Sequence, residues 1–361
     1  MKRPPNAWSH TFLLLILSGV LGLTAGVAGT ALTSNYLSDY ALSLGEVTHN
    51  VIRSQTRPQN LPQTYQDALN RVKTQALPAV GSLYASVNIP QYGVASSDFS
   101  TSVVSLTSDG WVLSSEGALG DTVRFVSQTC EVDNVIVEPR FGWRFLHCPL
   151  SNAAVIDIGV GYDVKPGDQL FVVTGDGGLA FVTADAVVWG DVLRSSDTPS
   201  RRILLTQQES FQTGSPVLNV SGELVGLIED SVEGTHVILF EHLSGAFEQL
   251  LEFDGSITYP SLGVRGIDLS RSVGVSAELS AGRHVGFLLY GSRAVAWESA
   301  AHAVGLEAGD LLLSIDGVTI NGTYAIDDIL AWYTAGEQIQ LEFERDGVRQ
   351  EVTVTLGELE N

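Results

Sequence analysis

Two cysteines, an adjacent pair of aspartates, seven histidines and one glycine-rich run carry the obvious chemistry in this chain. Cys130 and Cys148 are too few for a four-thiolate zinc site or a disulfide scaffold, and make at most one bridge. A bridge and two buried free thiols are both open readings. Between them Glu138-Pro139-Arg140-Phe141-Gly142 is a turn signal flanked by β-rich segments at 132–137 and 143–146. A hairpin centred near Pro139 would set the two cysteines roughly opposite each other. Asp327-Asp328, with Glu342, Glu344 and Asp346, could suggest acid–base work or calcium. Helix neighbours point about 100° apart and no EF-hand spacing is present, so a solvated acidic face is expected. Gly175-Asp176-Gly177-Gly178 lacks the Lys-Ser/Thr of a phosphate loop and reads as a hairpin turn. His10, His49, His147, His236, His242, His284 and His302 are scattered, and His147 is expected to be a satisfied strand residue. No metal site and no cofactor are expected.

The elements that must position these residues are bounded by composition. The chain has 361 residues, 44% of them hydrophobic and only 17% charged, enough for two domains with sizeable cores. Lys plus Arg number 19 against 41 Asp plus Glu, a net charge of −22. Such a surface repels phosphate backbones, which excludes nucleic acid as a main partner. Thirty-seven glycines and a single methionine point to a turn-rich, mainly β fold.

Lys2 and Arg3 precede an uncharged apolar run from Thr11 to Leu32. About 22 residues at 1.5 Å each reach roughly 33 Å, enough to cross a hydrocarbon core. Positive charge before the span puts the N-terminus in the cytoplasm and the bulk of the chain outside. A single-pass plasma-membrane anchor through residues 11–32 is the reading adopted. A cleaved signal peptide is the competitor, because Gly26-Val27-Ala28 and Gly29-Thr30-Ala31 offer small residues.

Residues 33–78 are polar and carry Pro58, Pro62 and Pro78, as in a stalk, with a short helix at 65–75. From 79 to 256 the pattern is short apolar or alternating runs punctuated by Gly, Asp and Ser, which predicts a β barrel or sandwich. Leu243, Phe247, Leu250 and Leu251 at helical spacing predict a helix over 242–253 that closes it. A second module over 259–361 alternates strand-like runs with two short helices. The later helix is expected to start after Thr323 as N-cap and to carry Ile326, Ile329, Leu330 and Tyr333 on one face.

This second module resembles a PDZ domain of the bacterial, circularly permuted kind. The resemblance rests on Ser261-Leu262-Gly263-Val264, on Ala301 through Gly305-Leu306 to Gly309-Asp310, and on Ile315-Asp316-Gly317. It implies binding of protein or peptide C-termini. Leu262, Gly263 and Val264 would present backbone N–H groups to a terminal carboxylate, and Ile326, Ile329 and Leu330 would form an apolar pocket. A PDZ used only for packing is the alternative.

Upstream, the β domain resembles the trypsin-like double barrel of the HtrA/Deg family of envelope serine proteases, which carry a PDZ domain in this position. The resemblance runs from Val80 to Phe253, through 101–114, through Ser151-Asn152-Ala153-Ala154-Val155-Ile156, and through Phe211-Gln212-Thr213-Gly214-Ser215-Pro216. Matched residue by residue, the family's general-base histidine falls on Gly117, its aspartate on Asn152 and its nucleophilic serine on Thr213. The glycine whose N–H helps form the oxyanion hole falls on Phe211. Glycine accepts no proton, and Asn152 cannot stabilise an imidazolium by charge. A threonine hydroxyl can attack, but it needs a base, and Glu116 beside Gly117 reads as a solvated turn carboxylate. The expectation is therefore a membrane-anchored pseudoprotease and not an enzyme. It would act as a peptide- or protein-binding scaffold or regulator in envelope protein quality control. The alternative is a serine-type endopeptidase with residual activity through Thr213. The family's assembly through its protease domain implies a homotrimer.

Overall fold

In a computed structural model of the chain, the structure describes residues 62, 64–85, 95, 98–115, 120–174, 177–206, 211–229, 234–252 and 257–359. The span expected at 11–32, Gly117 and, of the glycine-rich run, Gly175 and Asp176 lie outside them. Among the described residues no helix is long and apolar enough to cross a membrane.

The mainly β architecture is present. Seven short strands form the first antiparallel sheet: β1 (Val80–Tyr84), β2 (Thr101–Ser105), β3 (Trp111–Ser114), β4 (Thr122–Arg124), β5 (Thr129–Glu131), β6 (Asn134–Val137) and β7 (Arg144–His147). Their order is β5-β4-β1-β2-β3-β7-β6. Every residue of β1 and β2 is buried, as befits strands at the centre of the sheet. The turn after β6 is set by Glu138, whose buried carboxylate accepts from the N–H groups of Arg140 at 2.8 Å and Phe141 at 2.6 Å. The Tyr259 hydroxyl also donates to it, and Arg140 stacks 3.6 Å over the Tyr259 ring.

A closed barrel follows, with β8 (Gln169–Val173), β9 (Leu179–Val188), β11 (Arg202–Thr206), β12 (Pro216–Asn219), β13 (Leu224–Glu229) and β14 (His236–Leu239). The strand between, β10 (Leu193–Ser195), leaves this barrel and joins another sheet. The polar segment expected as stalk contains a folded element. Thr64 caps helix α1 (Tyr65–Arg71) by accepting from the Asp67 N–H, and the chain continues helically to Ala79. Tyr65 packs on Phe171 and Phe181 with ring centroids 6.1 and 4.9 Å away, and Val72 is fully buried. The short helix expected here is thus present and packs on β8 and β9 of the closed barrel.

Helix α2 (Glu241–Glu252) lies within one residue of its expected span, with Leu243, Phe247 and Leu250 buried. Phe247 stacks on Phe145 of the first sheet at 5.9 Å and meets Phe240 at 6.4 Å.

The C-terminal module is a sheet of β16 (Arg265–Asp268), β17 (Phe287–Leu289), β18 (Leu311–Ile315), β20 (Gln338–Arg345) and β21 (Val348–Thr355), with β19 (Val318–Thr319) beside β18. The pair β15 (Pro260–Ser261) and β22 (Gly357–Glu358) closes the module's ends together. Its short helices are α3 (Ala277–Ser280), α4 (Ala300–Ala303) and α5 (Ile326–Leu330). Helix α5 is shorter than expected, and Thr323 is not its cap. The Asp328 carboxylate instead reaches back to accept from the Ala325 N–H at 2.9 Å. The edge partner of β16 is β10, contributed from the barrel side of the chain.

Candidate functional site

The first candidate is the turn at 211–216, where a hydroxyl occupies the position that the family resemblance gives to the nucleophile. Gly214 sits at φ +89, and the turn is held by Gly214 N–H to Ile228 O at 2.9 Å and Ser215 N–H to Gln212 O at 3.0 Å. It presses on the first sheet. The Thr101 hydroxyl donates to the Thr213 carbonyl at 3.0 Å and contacts the Ser115 hydroxyl at 3.1 Å, while Gln212 Nε2 donates to Ser100 O at 2.6 Å. A Cβ on Gly214 would come within 2.8 Å of Ser115 Cβ, so the approach requires glycine. Ser215 is buried, as its place after the turn demands. Phe211 is half-buried, and Asn152 is exposed at φ +59, a conformation asparagine tolerates better than most residues.

The described histidines lie in other settings. His147 Nδ1 is 2.6 Å from Asp133 on the far side of the hairpin, so it is the satisfied strand residue expected. His302 packs on Trp297, and His242 is buried near Asp328. Cys130 and Cys148 are bonded, with Cα atoms 5.8 Å apart. They do not face each other across the Pro139 hairpin. Cys130 is on β5, paired with β4, whereas Cys148 follows β7, so the bond joins segments from opposite ends of the strand order.

The second candidate is the loop from Ser261 to Val264. Gly263 has φ +77, which turns successive N–H groups toward one point. That point holds the carboxylate of Asp197. Leu262 N–H donates to Asp197 Oδ1 at 3.0 Å, Gly263 N–H to Asp197 Oδ2 at 3.0 Å, and the Ser261 hydroxyl to Asp197 Oδ2 at 2.7 Å. Sequence reasoning placed the acceptor of these groups outside the chain and missed Asp197. Ile326, Ile329 and Leu330 are fully or almost fully buried with Leu262 and Val264 in the module's core, so here they line no open pocket.

The Asp327-Asp328 pair departs furthest from expectation. These residues are 1% and 0% exposed, not on a solvated face. Asp327 Oδ2 accepts from the Ser200 N–H at 2.9 Å and its hydroxyl at 2.8 Å. Asp328 lies 3.7 Å from Arg201, 3.8 Å from Arg271 and 3.9 Å from His242. Arg194 pairs with buried Asp268 at 2.9 Å, as does Arg271. Burial, then the adjacent Asp328 charge, push Asp327 up to about 6, while His242 and the guanidinium of Arg201 hold Asp328 below the usual carboxylate range despite burial. Burial pushes His242 down. Nearby, Glu241 Oε1 accepts from Gly161 N–H at 2.6 Å, and burial still lifts Glu241 to about 7. Glu344 is likewise buried, paired with Arg283 at 2.6 Å, while Glu342 accepts from Ser314 and Arg349. Among the described residues no cluster of His, Cys, Asp and Glu is arranged to hold a metal.

A seven-stranded antiparallel sheet and a closed barrel that meet at a hydroxyl-bearing turn, followed by a PDZ module, have the trypsin-like fold with a C-terminal PDZ domain. The family model for the PDZ domain matches residues 260–356. Among curated relatives, the probable periplasmic DegP-like serine endoprotease of a Marinomonas strain is 24% identical over 288 residues, covering 74% of this chain and 58% of that protein. The probable periplasmic serine protease do/HhoA-like of Haemophilus influenzae is 31% identical over 155 residues, covering 40% of this chain and 31% of that protein. The chain thus spans less than two thirds of the length of either. The solved structure of the HtrA-type protease AlgW with tripeptide superposes with a TM-score of 0.57 at 18% identity, over 81% of this chain and 97% of AlgW. Its counterpart with decapeptide gives 0.56 at 17% identity over 81% of this chain and 99% of that one. Over these spans the chain is similar to serine proteases of the HtrA/Deg kind. That corrects the expectation that it is not an enzyme: the relatives it matches are named serine endoproteases and proteases.

Proposed function

We propose that this chain is an exported, membrane-anchored HtrA-type protein that binds the C-termini of peptide or protein chains through its PDZ domain, within envelope protein quality control. The observation that carries the reading is the loop Ser261–Val264, whose N–H groups converge on a carboxylate. A chain terminus offers the same acceptor, and a strand added beside β16 would supply main-chain bonds. The relatives' periplasmic names and the apolar run at 11–32 support export. Trimeric assembly rests on the family resemblance.

The test is a titration of the full chain with one labelled peptide, as free acid and as C-terminal amide. Amidation removes a charge-assisted acceptor worth roughly 1.5–3 kcal/mol, so the amide should bind at least about tenfold more weakly. Equal affinities would show that the nest does not read a terminus.

A second reading, peptide-bond hydrolysis at Thr213, is favoured by its hydroxyl on the turn before β12 and by the relatives' names. Turnover of an unfolded protein substrate that is lost in Thr213→Ala would support it. Turnover unchanged by that substitution would remove Thr213 from the chemistry.

A further inference from the structure

We infer that residues Leu193–Asp197 are a built-in ligand of the PDZ domain, occupying the groove as a peptide C-terminus would, so that an incoming chain must displace them. The inference rests on the proposed reading that the nest receives a terminal carboxylate.

Three observations coincide. First, β10 is an added strand. It pairs antiparallel with β16 at the edge of the PDZ sheet, with Leu193 opposite Ile267, Arg194 opposite Gly266 and Ser195 opposite Arg265. The ladder continues through Ser196 N–H to Val264 O at 2.9 Å, and the Ser196 hydroxyl accepts from Val264 N–H at 3.3 Å. Second, the strand runs toward the nest and ends there. The next residue, Asp197, supplies the carboxylate that Leu262 and Gly263 bind. Third, the carboxylate is committed to that place. It is also held by the hydroxyls of Ser196 at 2.6 Å and Ser261 at 2.7 Å, and Asp197 is buried.

A peptide entering by strand addition needs the same edge of β16 and the same N–H groups, so the two ligands exclude each other. The difference is chemical. Asp197 offers a side-chain carboxylate on a chain that continues to Ser200 and Arg201, whereas a partner offers a main-chain terminus with its own side chain. Because the internal segment is tethered, it competes at a high effective concentration. The apparent affinity for an outside peptide then falls in proportion to the fraction of open groove. The partner class is an extended chain with a free carboxylate, able to outcompete a tethered aspartate.

The experiment uses the full chain, with Asp197→Asn, Asp197→Ala, Ser261→Ala and, as control, the exposed Asp191→Asn. Amide exchange is followed without peptide at Arg194, Ser196, Leu262 and Gly263, and affinity is measured for a labelled peptide ending in free valine. Exchange at these amides should quicken at least about tenfold in Asp197→Ala, and Asp197→Asn should bind the peptide at least about tenfold more tightly than wild type. Ser261→Ala, which removes one hydroxyl from the same carboxylate, should move both readouts the same way by a smaller step. Asp191→Asn should move neither. Unchanged exchange in the Asp197 variants, or equal affinity in wild type and Asp197→Asn, would overturn the built-in ligand. Quickened exchange with no peptide bound by any form would leave the internal occupancy standing and overturn the peptide reading.

Discussion

The Asp327 carboxylate receives two hydrogen bonds from one residue, Ser200, through its backbone nitrogen at 2.9 Å and its hydroxyl at 2.8 Å. The contact crosses from helix α5 of the PDZ domain to the loop between β10 and β11, 127 residues away in sequence. Arg194 Nη1 donates to the same Ser200 hydroxyl at 3.1 Å, so one side chain joins a buried carboxylate to a buried guanidinium. Ser200→Ala should therefore cost about 1–3 kcal/mol, more than a surface serine would. Chemical denaturation read at equilibrium checks this. A loss below about 0.5 kcal/mol would mean that the hydroxyl is not part of the domain contact.

That contact also shows where the sequence was legible and where it was not. The PDZ turns are local: Asp316 and Gly317 have φ of +47 and +79, and Gly305 and Gly309 have +76 and +101, so each needed only its own few residues to be recognised. Strands such as β3 at Trp111–Ser114 follow from short apolar runs between turn residues. The burial of Asp327 and Asp328 has no such local mark. On helix α5 they look like ordinary first-turn acids, and only the distant Ser200, Arg201, Arg271 and His242 make them interior. Asp197 is hidden in the same way, inside a polar stretch of Ser, Asp and Pro that reads as a loop.

Glu241 gives the stability of the fold a pH dependence with a definite sign. Its carboxyl is lifted from 4.5 to about 7, chiefly by burial, against the pull of its own N–H and those of Tyr162 and Gly161 and the charge of Arg201. A carboxyl with a raised folded pKa adds stability below its unfolded value and loses it as the pH rises through the folded one, here between about 4.5 and about 7. The loss is at most about 3 kcal/mol. His242, pushed down by burial, acts oppositely: its contribution is present above 6.5 and lost as the pH falls. Glu241→Gln keeps an acceptor for Gly161 N–H and removes the titration. Urea unfolding of both forms at pH 5 and pH 8 should show wild type losing more stability than the variant between the two. Parallel losses would mean that Glu241 ionises as an ordinary glutamate.

The Cys130–Cys148 bond closes 18 residues of chain and ties β5 to the end of β7. Closing a loop of that size should contribute about 3 kcal/mol, mainly by restricting the unfolded chain. Replacing both cysteines by alanine should lower the denaturant midpoint accordingly, and a reductant should then have no further effect. A double variant as stable as the oxidised protein would show that the pinned segments are held by packing alone.

Gly263 and Gly305 form a matched pair for testing how tightly the nest is built. Both have positive φ, +77 and +76. A Cβ on Gly305 would meet open space, so Gly305→Ala carries only the cost of the left-handed conformation, about 1–2 kcal/mol. A Cβ on Gly263 would fall on Ser299 Cβ, well inside van der Waals contact, and within 2.9 Å of Ser299 Oγ. Ser299 cannot readily withdraw, because its hydroxyl caps α4 by accepting from His302 N–H at 3.2 Å and donates to Ala296 O at 2.7 Å. Gly263→Ala should therefore cost the same conformational term plus about 1–3 kcal/mol of overpacking. It should also turn the Leu262 and Gly263 N–H groups away from Asp197 and quicken their exchange. Denaturation and amide exchange of the two variants side by side give the answer. Equal destabilisation, with Leu262 still protected in Gly263→Ala, would mean that the loop accommodates a methyl group and that Ser299 does not enforce the nest.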